Sequence, residues 1–192
     1  MRCASAFSLS LDPDMNLSFE TARLYGVPLS VAHYESFERN EEPKWEGMTN
    51  PYRHLIEGPS PLPHRIPRVK TQPSFADIGI ILAVTKSDRE IIGSAGFHDF
   101  PNEQGMIEVG YGIVDEMQGQ GFGQEFLLGM WRMIIKRDDA KILRYTVAPD
   151  NSPSVHIVEK FGFVKVGEQI DPEDGLELIY EQSTKEFRQR FN

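Results

Sequence analysis

The stretch Gln118-Gly119-Gln120-Gly121-Phe122-Gly123 stands between two kinds of periodicity. Before it, Met106-Ile107-Glu108-Val109-Gly110-Tyr111-Gly112-Ile113-Val114 reads as a mostly buried strand. After it, Phe122, Phe126, Met130 and Ile134 recur at every fourth position, the spacing of one helical face. A glycine-rich turn that opens a helix leaves backbone N–H groups unpaired and pointing outward, beside the positive end of the helix dipole. Such an end binds anions, phosphate above all. Helix first turns usually attract Asp or Glu, yet none lies between Gln118 and Gln124, which leaves the end open to a ligand's charge. A tight turn where strand and helix pack closely is the competing reading of the three glycines.

Two known phosphate loops fit poorly. A Walker loop ends in Gly-Lys-Ser/Thr, and Gln120-Gly121-Phe122 has no such lysine. A dinucleotide fingerprint belongs to the first strand–helix unit and needs an acidic residue at the end of a second strand. Here the turn lies past the middle of the chain, and Asp138 and Asp139 follow a long helix.

A second pattern follows downstream: Asn151-Ser152-Pro153-Ser154, then Glu159-Lys160-Phe161-Gly162-Phe163. Ser152 suits an N-cap and Pro153 the first helical position. Val155, Ile157, Val158 and Phe161 supply an apolar face, and Gly162 suits the left-handed residue that ends a helix. A new strand starts at Phe163-Val164-Lys165-Val166. Gln-x-x-Gly-x-Gly followed by Asn-x-x-Ser…Glu-Lys-x-Gly-Phe resembles the GNAT superfamily of acetyl-CoA-dependent N-acetyltransferases. The closest likeness is to the branch of ribosomal-protein alanine and serine N-terminal acetyltransferases. The resemblance runs from about Leu17 to Glu181 and is strongest from Glu108 to Gly167; upstream, only Leu17-Ser18-Phe19-Glu20-Thr21-Ala22-Arg23-Leu24 carries it.

The resemblance implies an α/β fold: a mixed, mostly antiparallel twisted sheet with helices on both faces, its central parallel strands splayed to hold acetyl-CoA. It implies acetyl transfer to a primary amine by direct attack, without a covalent enzyme intermediate. The expected holders of acetyl-CoA are Tyr111, Gly112 and Ile113 on the strand, Gln118, Gly119, Gln120, Gly121, Phe122, Gly123 and Gln124 at the turn, and Asn151. Asn151 as a plain helix cap is the alternative.

An amine with a pKa around 10 is mostly protonated at neutral pH, so transfer needs a proton acceptor. Alternation puts Ile107, Val109, Tyr111 and Ile113 on one strand face and Met106, Glu108, Gly110 and Gly112 on the other. Glu108, with glycines clearing space beside it, is the candidate base; a solvent-facing strand residue is the alternative. Many family members carry a Tyr where Val158 stands, which removes the usual donor to the leaving thiolate. In the resembled branch a Ser at the position of Ser154 can serve instead, and a helix residue with no role is the competing reading.

The 192 residues suit one domain, expected at residues 16–183, with a loosely held leader over 1–15 and a polar tail or short helix over 184–192. Apolar residues at 40% and charged residues at 26% are ordinary for a globular chain. Net charge −9 argues against nucleic-acid binding and tilts toward a cationic acceptor. No apolar run reaches the ~18 residues of a membrane span. A single cysteine, Cys3, excludes an internal disulfide and suggests the reducing cytoplasm. The expected acceptor is a small-molecule amine or a peptide or protein N-terminus, with neither nucleic acid nor membrane as partner; a homodimer is left open. A non-catalytic acyl-CoA sensor of the same fold is the alternative function. His33, His54, His98 and His156 lack metal-ligand spacing, and no metal is expected.

The coarse element order is a strand over 17–25, a helix over 30–40, a second helix over 44–57 broken near Pro51, and an extended loop over 59–73 set by five prolines. An antiparallel pair follows at 78–86 and 90–97, then strand 105–114, helix 121–136, strand 142–147, and a last strand at 176–182. The loop's His64, Arg65, Arg68 and Lys70 read either as a lid or phosphate clamp or as solvated counter-charges. Trp45 reads as either a pocket wall or core.

Overall fold

The computed structural model describes residues 16–191. The leader expected over 1–15 lies outside the described residues. The expected first strand is a hairpin, β1 (Phe19–Glu20) and β2 (Leu24–Pro28). Thr21 makes the turn, donating its backbone N–H to the Leu24 carbonyl and accepting the Leu24 N–H on its hydroxyl at 2.9 Å. Helix α1 (Val31–Glu38) starts as expected. The Ser30 hydroxyl accepts from the His33 N–H, while His33 Nδ1 accepts from the Ser30 N–H.

Two expectations fail in the next forty residues or so, for opposite reasons. No helix forms over 44–57. Gly47, Arg53 and Leu55 all have left-handed φ, and the Asn50 side chain both accepts from the His54 N–H (2.9 Å) and donates to its carbonyl (3.0 Å). Side-chain bonding has replaced the helical ladder there. Conversely, the proline-rich segment contains a helix, α2 (Leu62–Thr71). Pro61 and Pro63 sit at its start, where helical N–H groups have no intrahelical partner to lose. Leu62, Ile66 and Val69, at i, i+4 and i+7, turn its apolar side onto the core, which offsets the donor lost at Pro67.

The remaining elements follow the expected order. A short helix α3 (Ala76–Gly79) leads into β3 (Ile81–Thr85), then β4 (Ile91–Phe97) and β5 (Met106–Ile113). Helix α4 (Phe122–Ile134), β6 (Ile142–Val147) and α5 (Ser152–Lys160) come next. The chain closes with β7 (Val164–Asp171), β8 (Gly175–Ser183) and α6 (Thr184–Phe191). The N-cap of α5 is Asn151, not Ser152: its side chain accepts from the Ser154 N–H, which puts Pro153 one position further in.

The eight strands form one sheet in the order β1-β2-β3-β4-β5-β6-β8-β7. Every neighbouring pair is antiparallel except β5 and β6. That parallel ladder runs only from Met106↔Ile142 to Glu108↔Arg144. Beyond Glu108, β5 stays paired with β4 up to Ile113 and β6 with β8 up to Val147, so the sheet splits between its two central strands.

Helices cover both faces of this sheet. Tyr111 on one face of β5 meets α4, where a Cβ at Gly123 would lie 2.9 Å from its ring. On the other face, Gly96 of β4 lies directly against the Gly79 carbonyl of α3. Trp131 of α4 is fully buried, with Phe161, Phe163 and Phe187 around it at 5.1, 4.6 and 5.8 Å. Each such side chain contributes on the order of 1.5–3 kcal/mol on burial. Phe187 ties α6 into that cluster. Among the described residues, no helix is long and apolar enough to cross a membrane.

Candidate functional site

The split between β5 and β6 follows from hydrogen-bond parity. His98 donates to the Glu108 carbonyl and Val114 to the Ile92 carbonyl, so even-numbered residues of β5 face β4. In an antiparallel ladder the intervening residues then point their backbone groups the other way. Tyr111 and Ile113 therefore aim their N–H groups into the gap where β6 has diverged, while the Ile113 carbonyl is held by the Gln118 side chain at 2.9 Å.

Around the turn, Gly119 and Gly121 adopt left-handed φ of 71° and 79°, a conformation that excludes most other residues. Gly121 is the N-cap of α4 and no side chain caps that end, in contrast to Ser30 on α1 and Asn151 on α5. The first N–H groups of α4 are thus presented by backbone alone, as an anion site requires. One expectation needs correction: the first turn of α4 does hold an acid, Glu125. Burial pushes its carboxyl up, but donors from the Thr21 hydroxyl and from the backbone and side chain of Arg23 reverse this and hold it below the ordinary carboxylate range. Arg23 neutralises that charge and reaches the turn, donating to the Gln120 carbonyl at 3.1 Å and stacking on Phe122.

A polar cluster spans the split on the α4 face. The Tyr111 and Ser154 hydroxyls are 3.1 Å apart, and the Tyr145 ring of β6 lies 6.0 Å from the Tyr111 ring. Burial raises the Tyr111 hydroxyl above its ordinary value, opposed by the bond to Ser154. Ser154 is 6% exposed, with its N–H on the Asn151 side chain. The Asn151 amide oxygen is therefore occupied as a helix cap. Lys160 of α5 donates to Gln124 at 2.9 Å and joins the two helices beside the split.

On the opposite sheet face, Ser94, Gly96 and His98 of β4 and its extension align with Gly112, Gly110 and Glu108 of β5. Ser94, Gly96, His98, Gly110 and Gly112 line a cleft of about 760 Å³ walled by residues between 54 and 65 and by the β7–β8 turn at 171–174, with Glu108 beside His98 just outside that lining. The Glu108 carboxylate accepts from the Thr146 hydroxyl at 2.6 Å, and His98 Nδ1 lies 3.7 Å from it. Burial lowers the His98 pKa; Glu108 opposes that effect and Arg65 reinforces it. His54 bonds the Ser94 hydroxyl at 2.9 Å, and burial drives its pKa down to about 4.

The structure thus gathers Glu108, Tyr111, Gly112, Ile113 and Ser154 around the split, with residues 118–124 at the head of α4. Sequence alone gives His54 and His98 no role and does not single out Thr146. It places Arg65 in a loop cluster that reads as lid, phosphate clamp or solvated counter-charges, whereas the Leu62-Ile66-Val69 spacing puts His64 and Arg65 on a helix. Of that basic cluster, Arg68 pairs with Asp99 and Lys70 with Glu38, whereas His64 and Arg65 line the cleft. Trp45 packs between His33 and Phe37 and is not part of the cleft lining.

Comparison with known proteins agrees with this geometry. Residues 23–164 match the family described as Acetyltransferase (GNAT) domain. An uncharacterized N-acetyltransferase, p20, from Bacillus licheniformis is 30% identical over 89 residues, 44% of this chain and 47% of that protein. The chain spans about half the length of the curated relatives it matches. Among solved structures, a ribosomal-protein-S5-alanine acetyltransferase from Vibrio fischeri superposes with TM-score 0.62 at 16% identity, covering 88% of this chain and 97% of that one. Mutant forms of the spermidine/spermine N-acetyltransferase SpeG from Vibrio cholerae give TM-score 0.61 at 15% identity, over 88% and 98%. At such identities the likeness is one of fold.

Proposed function

The chain belongs to the GNAT acetyltransferase family, and from that premise we propose that it moves an acetyl group from acetyl-CoA to a primary amine by direct attack in a ternary complex. The observation that carries the reading is the ending of the β5–β6 ladder at Glu108. It leaves a gap lined by outward N–H groups on one side of a carboxylate and an acceptor-sized cleft on the other.

The chain's own residues fit acetyl-CoA. The uncapped start of α4, with glycines at 119 and 121, suits a pyrophosphate approached by backbone. The free N–H groups of Tyr111 and Ile113 suit an extended amide arm and the developing oxyanion of the thioester. Gly112 has open space where a Cβ would stand. The thioester is already activated, so the work left to the protein is alignment and a neutral nucleophile.

Glu108 takes the ammonium proton. Thr146 fixes the orientation of its carboxylate, and His98 stands beside it as a neutral neighbour. Amine nitrogen then attacks the thioester carbon, collapse of the tetrahedral intermediate breaks the C–S bond, and the second nitrogen proton leaves to solvent as the departing thiolate is protonated. The Tyr111–Ser154 hydroxyl pair, on the split's other face, is the donor pair available to the thiolate. The acceptor is a small-molecule amine or a peptide or protein N-terminus, and the setting is the cytoplasm.

Glu108→Gln tests the assignment. Its acetyl-CoA affinity should stay near wild type while the rate near pH 7 falls by about 10²–10⁴-fold, the usual contribution of a positioned base. Much of the loss should return at high pH, where the amine is already neutral. A variant with wild-type rates near pH 7, or one that loses CoA binding instead, places the base elsewhere.

A further inference from the structure

The cleft contains a cation that the catalytic reading leaves without a task. Arg65 lies on the first turns of α2, half-buried, among the residues that line the cleft. Its helix neighbours Arg68 and Lys70 are each paired with a carboxylate, Asp99 and Glu38. Among the described residues Arg65 has no ion pair and no side-chain hydrogen bond, and its Nε is buried without a partner. A guanidinium holds its charge at any physiological pH and presents a planar fork of donors shaped for a carboxylate. Leaving such a group half-buried and unpaired is costly, unless a ligand completes it.

We infer that Arg65 is a carboxylate subsite in the acceptor half of the cleft, so that the acceptor is a primary amine that also carries a carboxylate. This rests on the acetyltransferase reading and narrows its substrate class. The placement supports it: Arg65 and His98 line the same cleft, His98 Nδ1 lies 3.7 Å from the Glu108 carboxylate, and Glu108 is among the charges that act on Arg65, after Tyr34 and Asp99. A zwitterion would set its ammonium toward Glu108 and its carboxylate toward Arg65. A phosphate is the poorer match, because two charges would meet one guanidinium with Glu108 and Asp99 in range.

The opposing feature is the acidic turn, with Asp171, Glu173 and Asp174 across the cleft mouth. It would favour a polycation. Exposure decides against it. Glu173 and Asp174 are solvent-exposed, where a charge contact contributes little, and the Asp171 carboxylate is occupied by the N–H groups of Glu173 and Asp174. The half-buried, unpaired guanidinium therefore dominates at the reacting end.

The experiment compares matched acceptors, free amino acids against their carboxamides and decarboxylated amines, with spermidine alongside, following release of the CoA thiol. Wild type should favour the free acids by about 10–100-fold in kcat/KM, chiefly through KM, the size of a charge-assisted contact. Arg65→Met should bring the acid-to-amide ratio within about threefold, and Arg65→Lys should keep part of it. Circular dichroism checks that both variants fold. Amides or spermidine used as well as the acids, or a ratio unchanged in Arg65→Met, overturns the subsite. Should no amine be acetylated although acetyl-CoA binds, the catalytic reading fails by itself. Calorimetric titration of the amino acids into the CoA-bound protein then decides the subsite: binding lost in Arg65→Met supports it, and no binding to wild type refutes it.

Discussion

Gly129 lies in the interior of α4, where helix propensity alone makes Ala the better residue by about 0.8–1.0 kcal/mol. The tertiary structure reverses that sign. A Cβ at Gly129 would stand 2.6 Å from Phe19 Cδ2, and one at Gly26 of β2 would stand 2.6 Å from Phe19 Cε1. The ring is pinched in a slot between two glycines, so it cannot slide away from one without striking the other. Gly129→Ala must either expel the half-buried ring or strain the helix against β1. Expulsion forfeits roughly half of the ~1.5–3 kcal/mol that full burial of a Phe contributes, plus about 0.5–1.5 kcal/mol from its contact with Phe126 at 5.4 Å. Overpacking costs about 1–3 kcal/mol. Either route loses about 1–3 kcal/mol against a gain near 1, a net destabilisation of up to about 2 kcal/mol. For a chain of this size that lowers Tm by up to about 8 °C. In a Phe19→Ala background the slot is empty, and the same substitution should raise Tm by about 2–4 °C, as helix propensity alone requires. Thermal denaturation of the four proteins completes the cycle. A higher Tm for Gly129→Ala in the wild-type background, or no change of sign without Phe19, would refute the slot.

Gly121→Val puts a β-branched residue at φ 79° and a side chain over the exposed N–H groups of α4, so acetyl-CoA affinity measured by calorimetry should fall at least about tenfold in a folded protein; unchanged affinity would remove the turn from the binding site. His54 makes stability depend on pH. Its folded pKa of about 4 lies below the ordinary 6.5, so the stability is intact above 6.5 and is lost as pH falls from there toward 4, by up to about 3 kcal/mol. Urea denaturation of wild type and His54→Gln between pH 4 and 7 should show a shallower slope for the variant; parallel slopes would mean that another group controls the acid limb. Asn151→Ala removes the cap of α5 and should cost about 1 kcal/mol, seen as a Tm lower by about 2–4 °C. If Tm is unchanged, the modest 3.2 Å bond to the Ser154 N–H contributes nothing.

Much of the fold was determined by the sequence itself, because the deciding signals were local. The four-residue apolar repeat after Gly121, the alternation of 106–113 and the Ser30 cap each report a backbone choice made within a few residues. α4, β5, β6 and the glycine turn accordingly lie where their own side chains put them. Where prolines and polar side chains compete with distant packing, local reading failed. Proline content argued against the helix at Leu62–Thr71, but burial of Leu62 and Val69 against the core outweighed it, with two of the prolines at positions that need no donor. The helix expected over 44–57 is prevented by the Asn50 side chain and three left-handed residues.

Strand alternation placed Glu108 on the glycine-lined face, but only the pairing register ends the parallel ladder at that residue and brings Thr146 to its carboxylate. Tyr111 and Ser154 lie 43 positions apart, and His54 and Ser94 lie 40 apart. A side chain's charge, solvation and partners in a cleft depend on what the remote chain brings against it, and no local pattern carries that information. Arg68 and Lys70 reach Asp99 and Glu38 while Arg65, on the same helix, lines the cleft, a division set by how α2 settles on the sheet.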